Sequence, residues 1–293
     1  MIGRLALLAA ALAVLQQPAP FRGETRLVVL EATVKNNRGQ PVTDLPRDAF
    51  TILENGKRQP IVLFGSDDVP VSLGLLIDNS GSMRTRRAKV EAAALDFARA
   101  SNPQDEMFVL NFADKSRIDV PFTGDARVLE AGIGRVDSIG GTAMRDAIAA
   151  GEEYLTRYAH RDRKVLVVIT DGNDNASVTA LESIRTTAEQ HDIVVYAVGL
   201  LGDQDPHAGR LHHDVTQLTE ATGGLAYFPM SVEQIRDVAL EMARQIRMQY
   251  TIGYTPLNQS LDGSYRRIRV TVKGQEPLTV RTRTGYRASP SSS

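Results

Sequence analysis

The sequence predicts an α/β protein built on a doubly wound, mainly parallel sheet, with a second, smaller β-sandwich-like domain formed by the two flanks. Three short segments, 71–77, 164–170 and 193–199, are almost entirely apolar, which is typical of strands covered on both faces. Stretches with helical spacing of apolar residues separate them, and this alternation favours parallel strands joined by helices. Outside this region apolar and polar residues alternate, which indicates strands with one exposed face.

The central region, residues 70–247, contains the remaining elements of the parallel sheet. Helices are expected near 85–100, 142–159, 177–190, 212–222 and 231–247. A hairpin-like strand pair is expected at 105–112 and 118–122, and a short strand at 225–228.

The flanks are residues 24–68 and 248–287. Asn55 and Gly56 form the strongest short hairpin signal of the chain. Neither flank has enough strands for a stable domain of its own, so we expect the two to pair with each other. Residues 288–293 are rich in serine and proline and are expected to be a disordered tail.

Composition excludes several classes of function. The chain has 293 residues, of which 42% are hydrophobic, enough for a sizeable core. Its formal net charge is −1, so it lacks the overall basic field expected of a partner for nucleic acid or anionic membranes. Cysteine is absent, which excludes disulfides, thiol catalysis and thiolate metal sites.

The N-terminus has the layout of a secretory signal peptide. Arg4 supplies a positive charge, and residues 5–15 form an unbroken apolar stretch that is too short to span a bilayer as a helix. We expect residues 1–19 to direct export to the periplasm or the cell exterior, with cleavage after Ala13 or Ala19. No membrane span is expected in the mature chain. A short N-terminal helix in a cytosolic protein is the alternative.

Residues 78–83 read Asp-Asn-Ser-Gly-Ser-Met and follow the first apolar segment directly. They place Asp78, Ser80 and Ser82 in a tight turn at the C-terminal end of a predicted central strand, where open α/β sheets form binding sites. Carboxylate and hydroxyl oxygens are ligands of hard cations such as Mg²⁺. Taken alone, the turn is explained equally well by a helix cap.

Two further loops supply oxygen ligands where the topology would bring them to the same edge. Thr142 follows two glycines in an N-cap-like position of a predicted helix. Asp171 directly follows the second apolar segment, so it is expected beside Asp78. The five oxygen side chains together predict a Mg²⁺ site, with Mn²⁺ or Ca²⁺ as alternative ions.

The pattern Asp78-x-Ser80-x-Ser82, then Gly141-Thr142, then Thr170-Asp171-Gly172 resembles the metal-ion-dependent adhesion site of the von Willebrand factor type A domain. The resemblance covers about residues 70–247, and residues 195–199 and 218–224 are similar to the family's fifth strand and following helix. The flanks resemble those of bacterial exported proteins that carry this domain between β segments. The resemblance implies a Rossmann-like fold and a metal-dependent protein-binding function.

By that resemblance, Ser80 and Ser82 bind the metal directly, Thr142 does so in one conformational state, and Asp78 and Asp171 act partly through water. Neutral hydroxyls leave most of the ion's charge uncompensated. Mg²⁺ prefers six ligands, so a vertex stays open for an outside carboxylate. We therefore expect a protein partner that presents an Asp or Glu to the metal, in an adhesion or scaffolding role.

A metal-dependent hydrolase, such as a phosphatase, is the alternative function, since the same cation would activate water. Such an enzyme favours carboxylates as direct ligands and a positioned base. Here hydroxyls dominate, and no histidine falls in the three site loops. The nucleophile elbow, P-loop and Ser-x-x-Lys motifs are also absent from the sequence. The sequence favours a binding protein over an enzyme.

Three polar features near the predicted site receive a structural interpretation. Asp146 is expected to be a helix-start acid, with support of the metal ligands as the alternative. Asp174 is expected to be a loop residue. The basic stretch 84–89 is expected to be a solvated helix face, with steering of an acidic partner as the alternative.

A group of histidines and aspartates raises the question of a zinc site. Its members are His207, His212, His213, Asp203, Asp205 and Asp214. Their spacing fits no helical metal-binding pattern, and the segment 202–210 is predicted to be a surface loop. We expect no metal there.

Overall fold

The computed structural model describes residues 27–134, 140–171, 174–200, 208–274 and 276–289. The predicted signal peptide, 1–19, and residues 290–293 of the predicted tail lie outside the described residues. Within them, no helix combines the length and apolar character needed to cross a membrane.

The described residues form fourteen strands and six α-helices. The strands are β1 (Val28–Asn36), β2 (Phe50–Glu54), β3 (Lys57–Gln59), β4 (Ile61–Gly65), β5 (Val71–Asp78), β6 (Glu106–Phe112), β7 (Ser116–Thr123), β8 (Arg163–Thr170), β9 (Ile193–Gly199), β10 (Ala226–Tyr227), β11 (Tyr250–Tyr254), β12 (Tyr265–Val272), β13 (Leu278–Arg281) and β14 (Gly285–Arg287). The helices are α1 (Arg87–Ala100), α2 (Ala126–Ile133), α3 (Met144–Tyr158), α4 (Leu181–Gln190), α5 (Ala208–Thr222) and α6 (Ile235–Arg247).

A six-stranded sheet of order β10-β9-β8-β5-β6-β7 forms the centre of the molecule. Its strands pair in parallel except for the antiparallel edge pair β6–β7. Helices α1, α2 and α6 pack on one face and α3, α4 and α5 on the other, each set with its own hydrophobic core. Because both faces are covered, every residue of β5 is buried. The predicted doubly wound α/β fold is confirmed.

The flanks pair with each other in two antiparallel sheets, of order β13-β1-β11-β4 and β14-β12-β2-β3. Each sheet contains strands from both ends of the chain, as in the pairing of Val28 with Tyr254 and of Phe50 with Val272. A third hydrophobic core lies between the sheets and includes Leu30, Ile52 and Ile252. Neither flank could bury these side chains alone, which is why the second β unit requires both.

A buried arginine at the start of β8 connects the two units. The guanidinium of Arg163 donates to the carbonyl oxygen of Ile246 at 3.0 Å and to the side chain of Gln249. Its Nε lies 3.5 Å from a carboxylate oxygen of Glu31 on β1. Burial raises the pKa of Glu31, and the charge of Arg163 opposes that rise. The junction therefore depends on charge pairing as well as on apolar contact.

Four helices differ from the sequence-based predictions. Helix α5 begins at Ala208 instead of near residue 212, and α6 begins at Ile235 instead of near residue 231. Helix α2 was not predicted, because it has only eight residues and includes Gly132; Asp125, which caps it by accepting from the Arg127 amide at 2.9 Å, is the signal that marks its start. Helix α4 begins at Leu181 instead of near residue 177. The residues before Leu181 instead form hydrogen bonds that connect the loop after β8 to α3.

Candidate metal centre

The predicted site lies at the C-terminal edge of the central sheet, where β5 and β8 end side by side. These strands run parallel, with Ile77 paired to Ile169, so the residues that follow them meet at one edge. The hydroxyl of Thr170 donates a hydrogen bond of 2.6 Å to Asp78 Oδ2. Asp78 is fully buried, so its carboxylate is fixed at the bottom of the site.

The turn after β5 is organised by the Asp78 side chain. Asp78 Oδ1 accepts from the amide of Ser80 at 2.8 Å, a local bond that favours a turn over continued strand. A 3₁₀ helix, Gly81–Thr85, follows. The hydroxyl oxygens of Ser80 and Ser82 lie 3.0 Å apart, so alternate positions of the turn present them together.

Asp171 joins the same group from the loop after β8. Its Oδ1 accepts from the hydroxyl of Ser82 at 2.7 Å, and its Oδ2 accepts from Arg86 Nη1 at 2.5 Å. The Asp171 side chain is fully shielded from solvent, whereas that of Arg86 is 30% exposed. Four of the five predicted ligands are thus connected through short hydrogen bonds from two loops.

Thr142 lies in a third loop that contacts the turn through the main chain. The Gly81 amide donates to the carbonyl of Gly140 at 3.4 Å. Thr142 is buried, and its amide donates to Asn175 Oδ1 at 2.8 Å. The prediction that Thr142 occupies an N-cap-like position is wrong by one residue, because Ala143 is the N-cap of α3 and makes no side-chain cap. The Thr142 hydroxyl is therefore not used to cap the helix.

Gly140 and Asp114 set the shape of this third loop. Gly140 has a φ of +100°, a conformation that side chains disfavour, and a Cβ atom there would lie 2.3 Å from Asp114 Oδ2. Asp114 Oδ1 accepts from the Gly141 amide at 2.7 Å. Sequence reasoning missed Asp114, since it lies after β6 and forms no part of the recognised pattern.

Burial raises the pKa of Asp78 above its ordinary value. Hydrogen bonds from Thr170 and Ser80 oppose this rise, and the negative charge of Asp171 adds to it. The two acids are therefore close enough to repel each other. A cation between them would relieve that repulsion.

The donor set fits a hard divalent cation. It consists of hydroxyl and carboxylate oxygens, the ligand types that Mg²⁺ and Ca²⁺ select. The geometry brings Ser82 within hydrogen-bond distance of both Ser80 and Asp171, with Asp78 directly behind them. Cysteine is absent from the chain, so the set does not resemble a thiolate zinc site.

Asp146 and Asp174 hold the loop between β8 and α4 against α3. Asp146, in the first turn of α3, accepts from the Thr179 amide at 2.8 Å. Asp174 accepts from the Arg145 amide and from the Ser177 hydroxyl, both at 2.7 Å. Burial raises the pKa of Asp174, but these hydrogen bonds outweigh it and lower the pKa overall. Asp146 is a helix-start acid and Asp174 a loop residue.

The histidine group shows no metal site in the part of the chain that is described. Residues 208–210 belong to α5, so the predicted surface loop is wrong there, and residues 201–207 lie outside the described residues. His212 stacks on the Phe228 ring with centroids 4.1 Å apart. No cluster of three or more His, Asp or Glu side chains with metal-binding geometry occurs among the described residues.

The expectation that the basic stretch 84–89 is a solvated face holds for Arg84 and Lys89, which are exposed, but it is wrong for Arg86 and Arg87. Arg87 is buried and donates to the main-chain oxygens of Asp78 at 3.2 Å and Ile133 at 2.5 Å. Arg86 pairs with Asp171. Arg87 thus holds the end of β5, and Arg86 pairs with a predicted ligand, contacts that the local sequence pattern does not reveal.

Residues 73–173 match the von Willebrand factor type A domain. The match begins within β5 and ends after Asp171, so it contains all five predicted ligands. A search of the curated proteins finds no match to the sequence.

Solved structures with von Willebrand factor type A folds resemble this chain at low identity. One from Catenulispora acidiphila, a von Willebrand factor type A protein, is 13% identical, with 92% of this chain and 75% of that chain covered and a TM-score of 0.54. An aerotolerance-related membrane protein from Bacteroides fragilis is 16% identical, with 60% and 98% covered and a TM-score of 0.51. At such identities the likeness shows the fold.

A third similar structure is proximal thread matrix protein 1 from the mussel byssus, in a form whose metal-ion-dependent adhesion site (MIDAS) motif is occupied by zinc. It is 14% identical, with 66% of this chain and 49% of that chain covered and a TM-score of 0.51. This chain spans about half the length of the mussel protein.

Proposed function

We propose that this protein is an exported, divalent-metal-dependent binding module that captures an acidic side chain of a protein partner. The observation that carries the proposal is the joining of Ser80, Ser82 and Asp171 at the sheet edge, with Asp78 fixed behind them by Thr170. The proposed ligands are these four residues and Thr142, and the proposed ion is Mg²⁺, with Mn²⁺ or Ca²⁺ as alternatives.

The choice of ligands explains why the site would bind a carboxylate. Hydroxyls contribute no negative charge, so the bound ion would stay electrophilic. Mg²⁺ is octahedral and dehydrates reluctantly, which favours a site that the protein completes only in part. The ion would supply a coordination point for the partner's Asp or Glu, and this chain's own residues would hold it at the exposed edge of the sheet.

Two comparisons support a binding role. The von Willebrand factor type A domain, which residues 73–173 match, is an adhesion or protein-interaction module that is often metal-dependent. The similar mussel structure has its MIDAS motif occupied by zinc. Export is proposed from the sequence of residues 1–19 alone.

A metal-dependent pull-down tests the proposal. The full chain, purified from its native export route, is used to capture partners from the exported proteins of the source cell, with Mg²⁺ or with EDTA. We expect capture with Mg²⁺ and its loss with EDTA, with Asp78→Ala and with Ser80→Ala. Circular dichroism checks that each variant is folded.

Asp162→Ala is the matched control for these substitutions. Asp162 is exposed and directly precedes β8, at the opposite edge of the sheet from the site. Capture that survives EDTA and both site substitutions would contradict the adhesion proposal. Mg²⁺-dependent cleavage of phosphoesters, lost in the same variants, would instead establish the hydrolase alternative.

A further inference from the structure

The guanidinium of Arg86 contacts one carboxylate oxygen of Asp171, which is a predicted metal ligand. Its Nη1 lies 2.5 Å from Asp171 Oδ2, and the Asp171 side chain is fully shielded from solvent. We propose that Arg86 is a resident cation of the site, which neutralises Asp171 when metal is absent and must release it when metal binds. This inference rests on the proposed metal-dependent function and names its regulation.

The charges at the site lead to this inference. Asp78 and Asp171 are two buried acids that repel each other, and burying such charges without a counterion is costly. Among the ion pairs of the described residues, the pair with Arg86 is the one that reaches the predicted ligands. Asp78 is satisfied by the neutral donors Thr170 and Ser80 instead. Arg86 therefore supplies the positive charge that a metal ion would supply.

The hydrogen bonds of Asp171 identify the oxygen for which the two cations would compete. One carboxylate oxygen accepts from Ser82 and the other from Arg86. The Ser82 hydroxyl gives its proton to Asp171 and keeps its lone pairs for a metal ion, so the competition concerns the Asp171 oxygen that Arg86 contacts. A divalent ion next to a guanidinium would also be repelled by it. Metal binding is thus coupled to the departure of Arg86.

The position of Arg86 allows that departure without refolding. Its main chain is fixed at the junction of the 3₁₀ helix and α1, where its amide donates to Met83 at 2.9 Å and its carbonyl accepts from Val90 at 3.1 Å. Its side chain is 30% exposed. The guanidinium can therefore rotate into solvent about its own flexible stem while the backbone stays in place.

Calorimetric titration of the metal-stripped full chain with MgCl₂ and with MnCl₂ tests the inference. The variants are Arg86→Gln and, as the matched control, Arg99→Gln, which removes the same charge from an exposed position of α1. We expect Arg86→Gln to bind metal about tenfold more tightly than the wild type, because it removes both the competition and the repulsion. Arg99→Gln is expected to bind as the wild type does.

The outcomes separate this inference from the proposed function. Equal affinity in the wild type and Arg86→Gln, or weaker affinity in Arg86→Gln, would overturn the role of Arg86 and leave the metal site standing. If only Arg86→Gln binds metal, the role of Arg86 is supported, and Arg86 prevents metal binding completely in the wild type. No binding by any variant would overturn both.

The wild type offers a second test that does not depend on the folding of a variant. Arginine side-chain NMR reports the exchange of guanidinium protons with water, which an ion pair to a buried carboxylate slows. We expect one slowly exchanging signal, assigned to Arg86, to lose its protection on addition of MgCl₂. Protection that persists at metal saturation would overturn the inference.

Discussion

Thr170 donates a 2.6 Å hydrogen bond to the carboxylate of Asp78 across two neighbouring parallel strands, between residues 92 positions apart in the chain. The other oxygen of Asp78 accepts from the Ser80 amide. The ends of β5 and β8 are therefore connected through the side chain that also shapes the candidate metal turn.

Thr170→Val tests the strength of this connection. Valine fills the same space but leaves one oxygen of a buried carboxylate without its donor. We expect the free energy of unfolding to fall by about 1–3 kcal/mol, the cost of an unsatisfied buried polar group. Urea denaturation measures it. In the control Thr186→Val, the lost hydroxyl bonds only to the main chain of its own helix, so an equal loss there would contradict the prediction.

Gly140→Ala tests the loop that carries Thr142. Alanine at a φ of +100° is strained, and its Cβ would clash with Asp114. Gly263→Ala is the control, since Gly263 has a φ of +72° but no neighbouring atom within 4 Å of its Cβ position. We expect Gly263→Ala to cost about 1 kcal/mol from strain alone, and Gly140→Ala about 1–3 kcal/mol more from overpacking. Equal melting temperatures for the two variants would contradict this.

Glu152 makes stability depend on pH. It is 1% exposed, one of its oxygens has no hydrogen-bond partner among the described residues, and burial raises its pKa to about 9 from 4.5. Between pH 4.5 and about 9, Glu152 is deprotonated in the unfolded chain but keeps its proton in the folded chain. Its contribution to stability is therefore complete below pH 4.5 and is lost as pH rises towards 9.

Glu152→Gln removes that titration. We expect the variant to gain stability relative to the wild type as pH rises, by up to about 1.4 kcal/mol for each pH unit inside the window. Urea denaturation near pH 5 and near pH 8 measures how the difference in free energy of unfolding between the variant and the wild type changes with pH. Glu153→Gln, which alters an exposed neighbour on the same helix, is the matched control. If the difference in free energy of unfolding between Glu152→Gln and the wild type does not depend on pH, burial does not keep the Glu152 carboxyl protonated.

Arg163 and Glu31 test the junction between the two units. Their side chains are 8% and 14% exposed. We expect Arg163→Met to lower the free energy of unfolding by about 3–5 kcal/mol, because it leaves Glu31 buried without its counterion. The double variant Arg163→Met, Glu31→Gln is expected to recover part of that loss. Additive losses in the two single variants and the double variant would show that the pair is not coupled.

The sequence by itself determined the central sheet and the place of the candidate site. Strands buried on both faces must be apolar along their whole length, so β5, β8 and β9 are visible without a structure. The polar residues that follow parallel strands necessarily meet at one edge. That is why the positions of Asp78 and Asp171 could be predicted as neighbours.

Only the tertiary structure decided what surrounds those residues. Arg86 and Arg87 look like part of a solvated basic stretch, and their ion pair and buried hydrogen bonds depend on Asp171, Asp78 and Ile133, which belong to other elements of the fold. Asp114 likewise reaches Gly141 from the turn between β6 and β7. Local patterns report burial and turns, because these depend on neighbours in sequence. Charge partners depend on distances in space, which the fold alone sets.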